Sequence, residues 1–218
     1  MTRLTKILIA GTALLTLPLS QAYADGSTSQ SGSDVLNGQI DLQLSSSHLN
    51  TQVANVAGGV TNASSAVGNN VEVVTMNNTN VNNSQYVGNV SISADQSASV
   101  YNTGGGVTLS SQAACNAADV STDPHTASIY SSQDCNASDP SALLNANVGT
   151  VNGSVSLASQ AIGNSFSEDT NAANMPVQNY QTNNANIAST VNSKVTNING
   201  TVSVNSTAVG NNAQIVQY

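Results

Sequence analysis

The chain has no Trp, a single Phe (Phe166) and only three basic residues, Arg3, Lys6 and Lys194. Without large aromatic anchors, an ordinary globular core is hard to build. With so few cations the chain has nothing to neutralise a phosphate backbone, which excludes nucleic acid as a partner. Docking on an anionic lipid surface is disfavoured for the same reason. A hydrophobic run long enough to span a bilayer is also missing. What remains is mostly Val, Ala, Ser, Asn, Thr and Gly, a composition that belongs either to a disordered chain or to a thin repetitive structure.

The N-terminus reads as a secretory signal. Arg3 and Lys6 precede an apolar run from Ile7 to Leu19, and Ala22-Tyr23-Ala24 has the small-x-small form of a cleavage site. The expected organisation is a signal peptide over 1–24, a flexible Gly/Ser-rich leader over 25–34 and a repeat domain over 35–218. Cleavage would leave one basic residue, Lys194, against eleven acidic ones, a net charge of −10. Such a charge favours solubility and mutual repulsion before assembly.

Periodicity decides against disorder. Gly58-Gly59-Val60 leads to Ala66-Val67-Gly68-Asn69, Gly153-Ser154-Val155 to Ala161-Ile162-Gly163-Asn164, and Gly200-Thr201-Val202 to Ala208-Val209-Gly210-Asn211. A fourth copy carries Val107 and Cys115-Asn116 in the same frame. The landmark valines 60, 107, 155 and 202 are spaced by 47, 48 and 47 residues. A weaker echo lies 20 residues after each landmark Asn, giving an Asn series at Asn69, Asn89, Asn116, Asn136, Asn164, Asn184 and Asn211.

Periods of this length mean solenoids or arrays. Segments such as Val155-Ser156-Leu157-Ala158 and Val202-Ser203-Val204-Asn205 alternate apolar with small polar residues, the period of a strand. The expected fold is therefore all-β: a β-solenoid of four ~47-residue repeats, each of two coils. Gly-Asn pairs would supply positive φ at the turns. The recurring Asn then either forms a hydrogen-bonded ladder along the axis, at roughly 4.8 Å per coil, or serves simply as a good turn residue.

Cys115 and Cys135 fall at equivalent Gly-Asn turns of adjacent coils in this register. Stacked at roughly 4.8 Å, they lie within the Cα separation a disulfide needs, and export supplies an oxidising compartment. A Cys115–Cys135 disulfide is expected, with the segment Asp119 to Asp134 projecting as a loop. Asp119, Asp123, Asp134 and Asp139 match no calcium-loop spacing, so no metal or other cofactor is expected.

The sequence offers little for catalysis. Glu72 and the pair Glu168-Asp169 are the available carboxylates, and His48 and His125 have no nucleophile arrangement around them. Gly104-Gly105-Gly106 precedes a strand rather than a helix, so it suits a solenoid corner better than a phosphate loop. Tyr86, Tyr101, Tyr130, Tyr180 and Tyr218 share no repeat position. The expectation is a non-enzymatic, secreted cell-surface protein that self-associates, or pairs with related repeat subunits, through open strand edges. A carbohydrate-binding or polysaccharide-active secreted β-helix is the alternative. Cell-surface polysaccharide and an outer-membrane anchor are the other candidate partners.

Ser159-Gln160-Ala161-Ile162-Gly163-Asn164, Ser84-Gln85-Tyr86-Val87-Gly88-Asn89 and Thr207-Ala208-Val209-Gly210-Asn211 carry a family likeness. With the signal and the near absence of Lys and Arg, they make the chain resemble curlin-like surface proteins. Within that group it is similar to the holdfast-anchor proteins of stalked alphaproteobacteria. The resemblance implies surface adhesion or biofilm attachment, outer-membrane association and functional-amyloid-like strand stacking. Its unit is about twice the curlin length, and Gln and Asn are not regularly repeated within each coil, so the resemblance points to an anchor or accessory subunit.

Overall fold

A computed structural model describes residues 33–75, 79–122, 128–170 and 175–217. The expected signal and most of the leader, together with Asp123, His125 and Tyr218, lie outside the described residues.

Twelve strands follow one another without a helix among the described residues: β1 (Ser33–Asp41), β2 (Ser45–Val56), β3 (Val60–Thr75), β4 (Thr79–Val87), β5 (Ser91–Thr103), β6 (Val107–Thr122), β7 (Ser128–Cys135), β8 (Ser138–Val151), β9 (Val155–Thr170), β10 (Val177–Asn183), β11 (Ala188–Ile198) and β12 (Val202–Gln217). They form three parallel four-stranded sheets. Sheet A has the order β1-β4-β7-β10, sheet B β2-β5-β8-β11 and sheet C β3-β6-β9-β12. Every third strand therefore pairs, and Val60, Val107, Val155 and Val202 lie in register down sheet C.

The expected β-solenoid is present, and its coil differs from expectation. One whole repeat makes one coil, in which the chain runs out along sheets A and B and returns along C. The division of each repeat into two coils does not hold. Its basis, the 20-residue echo, turns out to relate positions facing each other across the interior. The interior side chain of Ile92 and that of Val87 both lie 2.9 Å from where a Cβ on Gly68 would stand, and Asn183 Oδ1 is as close to Gly163. Val87 and Asn183 belong to sheet A, and Ile92 to sheet B, of the coil that follows.

Of the Gly-Asn pairs, Gly88-Asn89 lies in the bend between β4 and β5, but those of sheet C are not turns. Gly68-Asn69 and Gly163-Asn164 lie inside 16-residue strands, and no described glycine has positive φ. In β6 the inward residues are 107, 109, 111, 113 and 115, then 116, 118, 120 and 122. The strand kinks so that Cys115 and Asn116 both point inward. Gly suits this position because the interior leaves no room for a Cβ opposite a large partner. The left-handed residues occur elsewhere: Asn55, Asn102, Thr150 and Asn197 (φ 54–59°) stand one step before the corner from sheet B to sheet C, and Asp139 (φ 49°) lies near the start of β8. Gly104-Gly105-Gly106 follows at that corner, where a Cβ on Gly105 would lie 2.6 Å from the Gly59 amide nitrogen. The glycines let successive coils stack backbone on backbone.

The core is a thin layer between C on one side and A and B on the other. Val100, Val107, Leu109, Leu144, Val148 and Leu157 fill the B–C end, and Val81, Val120, Ile129 and Phe166 fill the A–C end. Ala66, Ala94, Ala113, Ala142 and Ala161 lie between, where the layers come closest. Burying each Leu contributes about 1.5–3 kcal/mol. Small side chains at the centre leave the rest to hydrogen bonding.

One core position breaks the pattern. Leu49, Gln96, Leu144 and Val191 form a register column, and Gln96 is fully buried with neither amide atom paired. An unpaired buried amide costs about 1–3 kcal/mol, so Gln96→Leu is expected to stabilise the protein by that amount in urea denaturation, provided Leu fits as it does at position 144.

Candidate functional site

Two amide ladders run through the interior. Asn69 Nδ2 donates to Asn116 Oδ1 (2.9 Å), Asn116 to Asn164 (2.8 Å) and Asn164 to Asn211 (2.8 Å). The second proton of each Nδ2 goes to a main-chain carbonyl of sheet A in the next coil: Asn69 to Tyr86, Asn116 to Asp134 and Asn164 to Thr182. A carbonyl oxygen only accepts, so it fixes which way each amide points.

The expected Asn series thus divides. Asn69, Asn116, Asn164 and Asn211 form the ladder. Asn136 and Asn184 contribute backbone N–H donors to the carbonyls of Val87 and Cys135. Asn89 is out of step with them, because Val87 rather than Gly88 pairs with Cys135.

Sequence reasoning missed the second ladder. Gln85 Nε2 donates to Gln39 Oε1 (2.9 Å), Gln133 to Gln85 (2.8 Å) and Gln181 to Gln133 (2.8 Å). Each Nε2 also donates to a sheet C carbonyl, those of Asn70, Ala117, Ser165 and Asn212 in order. Gln and Asn are therefore regularly repeated, once each per coil. The signal was four Gln at offsets of 46, 48 and 48.

Cys115 and Cys135 are bonded, with Cα atoms 5.7 Å apart, and both are fully buried. The bond links adjacent coils but does not run along a stack. Cys115 occupies the sheet C kink and Cys135 pairs with Val87 and Asn183 in sheet A. At this site the neighbouring coils place Gly68 against Val87 and Gly163 against Asn183, so two Cys replace one small and one larger residue. The segment expected to project is largely strand: β6 continues to Thr122 and β7 begins at Ser128.

The other singled-out side chains do not converge. His48 Nδ1 lies 3.6 Å from Asp95 on the exposed face of sheet B. Glu72 pairs in register with Asp119, and Lys194 faces outward on β11. Among the described residues no three His, Cys, Asp or Glu gather as a metal site.

Glu168 points inward in the column of Val120 and Ile215, 1 % exposed and without a hydrogen-bonded carboxylate oxygen. Burial raises its pKa from 4.5 to about 6; the nearby Val216 amide opposes the shift and the Asp169 charge adds to it. A carboxyl with a raised folded pKa contributes stability in full below pH 4.5 and loses it as pH rises past 6. Only the edge strand β12 separates it from solvent, so the loss is discounted to about 1–2 kcal/mol. Glu168→Gln should match the wild type in urea denaturation at pH 4 and exceed it by that margin at pH 8.

Among the described residues, both ends of the solenoid are open. The strands of the first and last coils each have one unpaired edge, and Val202, Val204 and Ile215 are about half exposed there. A 16-residue strand is roughly 50 Å long, whereas four coils rise only roughly 19 Å. The two edge surfaces are therefore extensive for the size of the molecule.

Such a structure is a repeat scaffold: a parallel β-solenoid tied internally by amide ladders and one disulfide, with unpaired strand edges at its two ends among the described residues. Residues 22–218 match the family model HfaD, holdfast attachment protein D, and the chain belongs to that family. No curated protein and no solved structure matches it. Family membership makes it a surface adhesion protein of the holdfast, located at the cell surface or secreted.

Proposed function

We propose that the protein is a non-enzymatic holdfast-anchoring subunit, exported by a cleaved signal and held at the outer membrane, which acts by stacking its strand edges on further copies or related repeat subunits in the curlin manner. The polarity of the two ladders carries this reading. The Asn ladder donates toward the last coil, leaving Asn69 Oδ1 as acceptor at the first edge and an Asn211 N–H as donor at the last. The Gln ladder donates the opposite way, leaving a Gln39 N–H at the first edge and Gln181 Oε1 at the last. Stacking the last coil of one copy on the first coil of the next matches donor to acceptor in both ladders. It also aligns β12 with β3, each of 16 residues. Stacking like ends would reverse the strands and break both matches.

Inward-pointing charges on an edge strand block such pairing. Val204→Lys with Ile215→Lys alters two half-exposed positions of β12. In sedimentation velocity at rising concentration, the wild type should form larger species and the double variant should stay monomeric with an unchanged melting temperature. A wild type that sediments as a monomer throughout would refute the stacking.

A further inference from the structure

The first strand has a glycine at its centre. Gly38 faces outward on sheet A, and among the described residues a Cβ added there would meet nothing within 4 Å. A glycine inside a strand weakens it and marks a place where something approaches closely. Two other glycines show what approaches. Gly149 lies under the ring of Tyr101, whose Cδ1 and Cε1 would each stand 2.9 Å from an added Cβ, and Gly88 lies under Leu42, whose Cδ2 would stand 2.6 Å away. In both cases the large side chain comes from the preceding coil at the same register position: Tyr101 pairs with Gly149, and Leu42 and Gly88 directly follow the pair Asp41 and Val87. Each lies down along the axis onto the glycine of the next coil.

Gly38 stands in the first coil, so a side chain preceding it in its column has to come from another copy. The column runs Gly38, Ser84, Ser132, Tyr180. Tyr180 ends it, facing outward on β10, the last strand of sheet A, and 58 % exposed. One side of its ring meets Tyr130, with centroids 5.8 Å apart; Tyr130 lies one coil back, in the column of Gln178. Leu36 and Ile40 flank Gly38 on the same outward face. At 77 % and 71 % they are the most exposed large apolar side chains among the described residues. The second coil has Asn82 and Tyr86 at those positions, so the bare aliphatic pair is particular to the first coil.

We infer that Tyr180 on the last coil of one copy lies on Gly38 in the first coil of a second copy of this chain, with Leu36 and Ile40 on either side of the ring. The inference rests on the head-to-tail stacking reading and names the partner and the register of that junction. With coils spaced by roughly 4.8 Å across the junction, Tyr180 stands to Gly38 as Tyr101 stands to Gly149. Leu36 then takes, on the far side of the ring, the diagonal position that Tyr130 holds on the near side. Association removes the ring and both aliphatic side chains from water, which drives it. The amide ladders would accept any subunit that presents an Asn and a Gln at its edge. A ring needs a glycine beneath it, so this contact selects a second copy of the same chain.

The test is sedimentation velocity of the exported protein at rising concentration, for the wild type, Tyr180→Ala, Gly38→Val and an equal mixture of the two variants. Each variant alone should need at least tenfold more protein than the wild type to form larger species. Gly38→Val should melt no lower than the wild type, because its side chain enters open space on a strand and is β-branched. Ser84→Val, one coil further along the same column, should assemble as the wild type does. In the mixture, the intact Tyr180 of the Gly38→Val chain meets the intact Gly38 of the Tyr180→Ala chain. Dimers should therefore form at concentrations where each variant alone is monomeric. If the wild type assembles but the variants do so at the same concentration, or their mixture is no larger than its components, the contact is overturned and the stacking reading stands. A wild type that stays monomeric throughout would overturn the stacking reading, and this contact with it.

Discussion

Asn116→Ala is expected to cost about 4–6 kcal/mol in urea denaturation, whereas Asn136→Ala should lie within about 0.5 kcal/mol of the wild type. Asn116 is fully buried and sits mid-ladder: it accepts from Asn69 and donates to Asn164 and to the Asp134 carbonyl. Truncation removes three hydrogen bonds at about 1 kcal/mol each and strands a buried carbonyl at about 1–3 kcal/mol more. Asn136 belongs to the same Gly/Cys-Asn pattern in the sequence, but its part is a backbone N–H donated to Val87, which Ala retains. If Asn were only a favourable turn residue, the two substitutions would cost similar amounts. Equal effects would therefore remove the ladder as a principal source of stability.

Loss of the disulfide should have the next largest effect. Cys115 and Cys135 close a segment with a sequence separation of 20, for which chain entropy predicts about 3 kcal/mol. Cys115→Ala with Cys135→Ala should lower stability by about 2–4 kcal/mol, and a reducing agent should lower the wild type toward the same value while leaving the double variant unchanged. Cys115→Gly with Cys135→Val copies the Gly68–Val87 pair of the neighbouring coils. It should recover the packing share of the loss but not the share due to the crosslink. Full recovery would show that the site needs filled volume and not a covalent bond.

Much of the fold was legible because one length repeats. The alignment of Val60, Val107, Val155 and Val202 names the residues that pair down sheet C, and the alternation in Val155-Ser156-Leu157-Ala158 identifies them as strand. The coil was misjudged for a physical reason. The kink of sheet C in one coil faces the end of sheet A in the next, so positions about 20 residues apart share an environment without stacking. Cys115 and Cys135 are such a pair, which is why their bond was anticipated from a geometry that does not occur. The Gln ladder escaped notice because Gln85 lies beside the conspicuous Tyr86-Val87-Gly88-Asn89 stretch. Its offset of 46 from Gln39 also departs from the 47–48 of the other landmarks. Gln96 and Glu168 show the limit of alternation, which reveals that a residue points inward but not whether a partner awaits it. The match between Tyr180 and Gly38 was not visible at all. The two come into one column only through Ser84 and Ser132, and the part a glycine plays there is learned from Tyr101 lying over Gly149 in the next coil.

The central claim is that the open ends join head to tail with both amide ladders continuing across the junction. Electron microscopy with fibre diffraction of the concentrated exported protein tests it most directly. The account predicts unbranched fibres with a reflection at about 4.8 Å along the fibre axis and a subunit repeat of about 19 Å, four coils per copy. Strands lying along the fibre axis, or a protein that remains monomeric at every concentration, would contradict it.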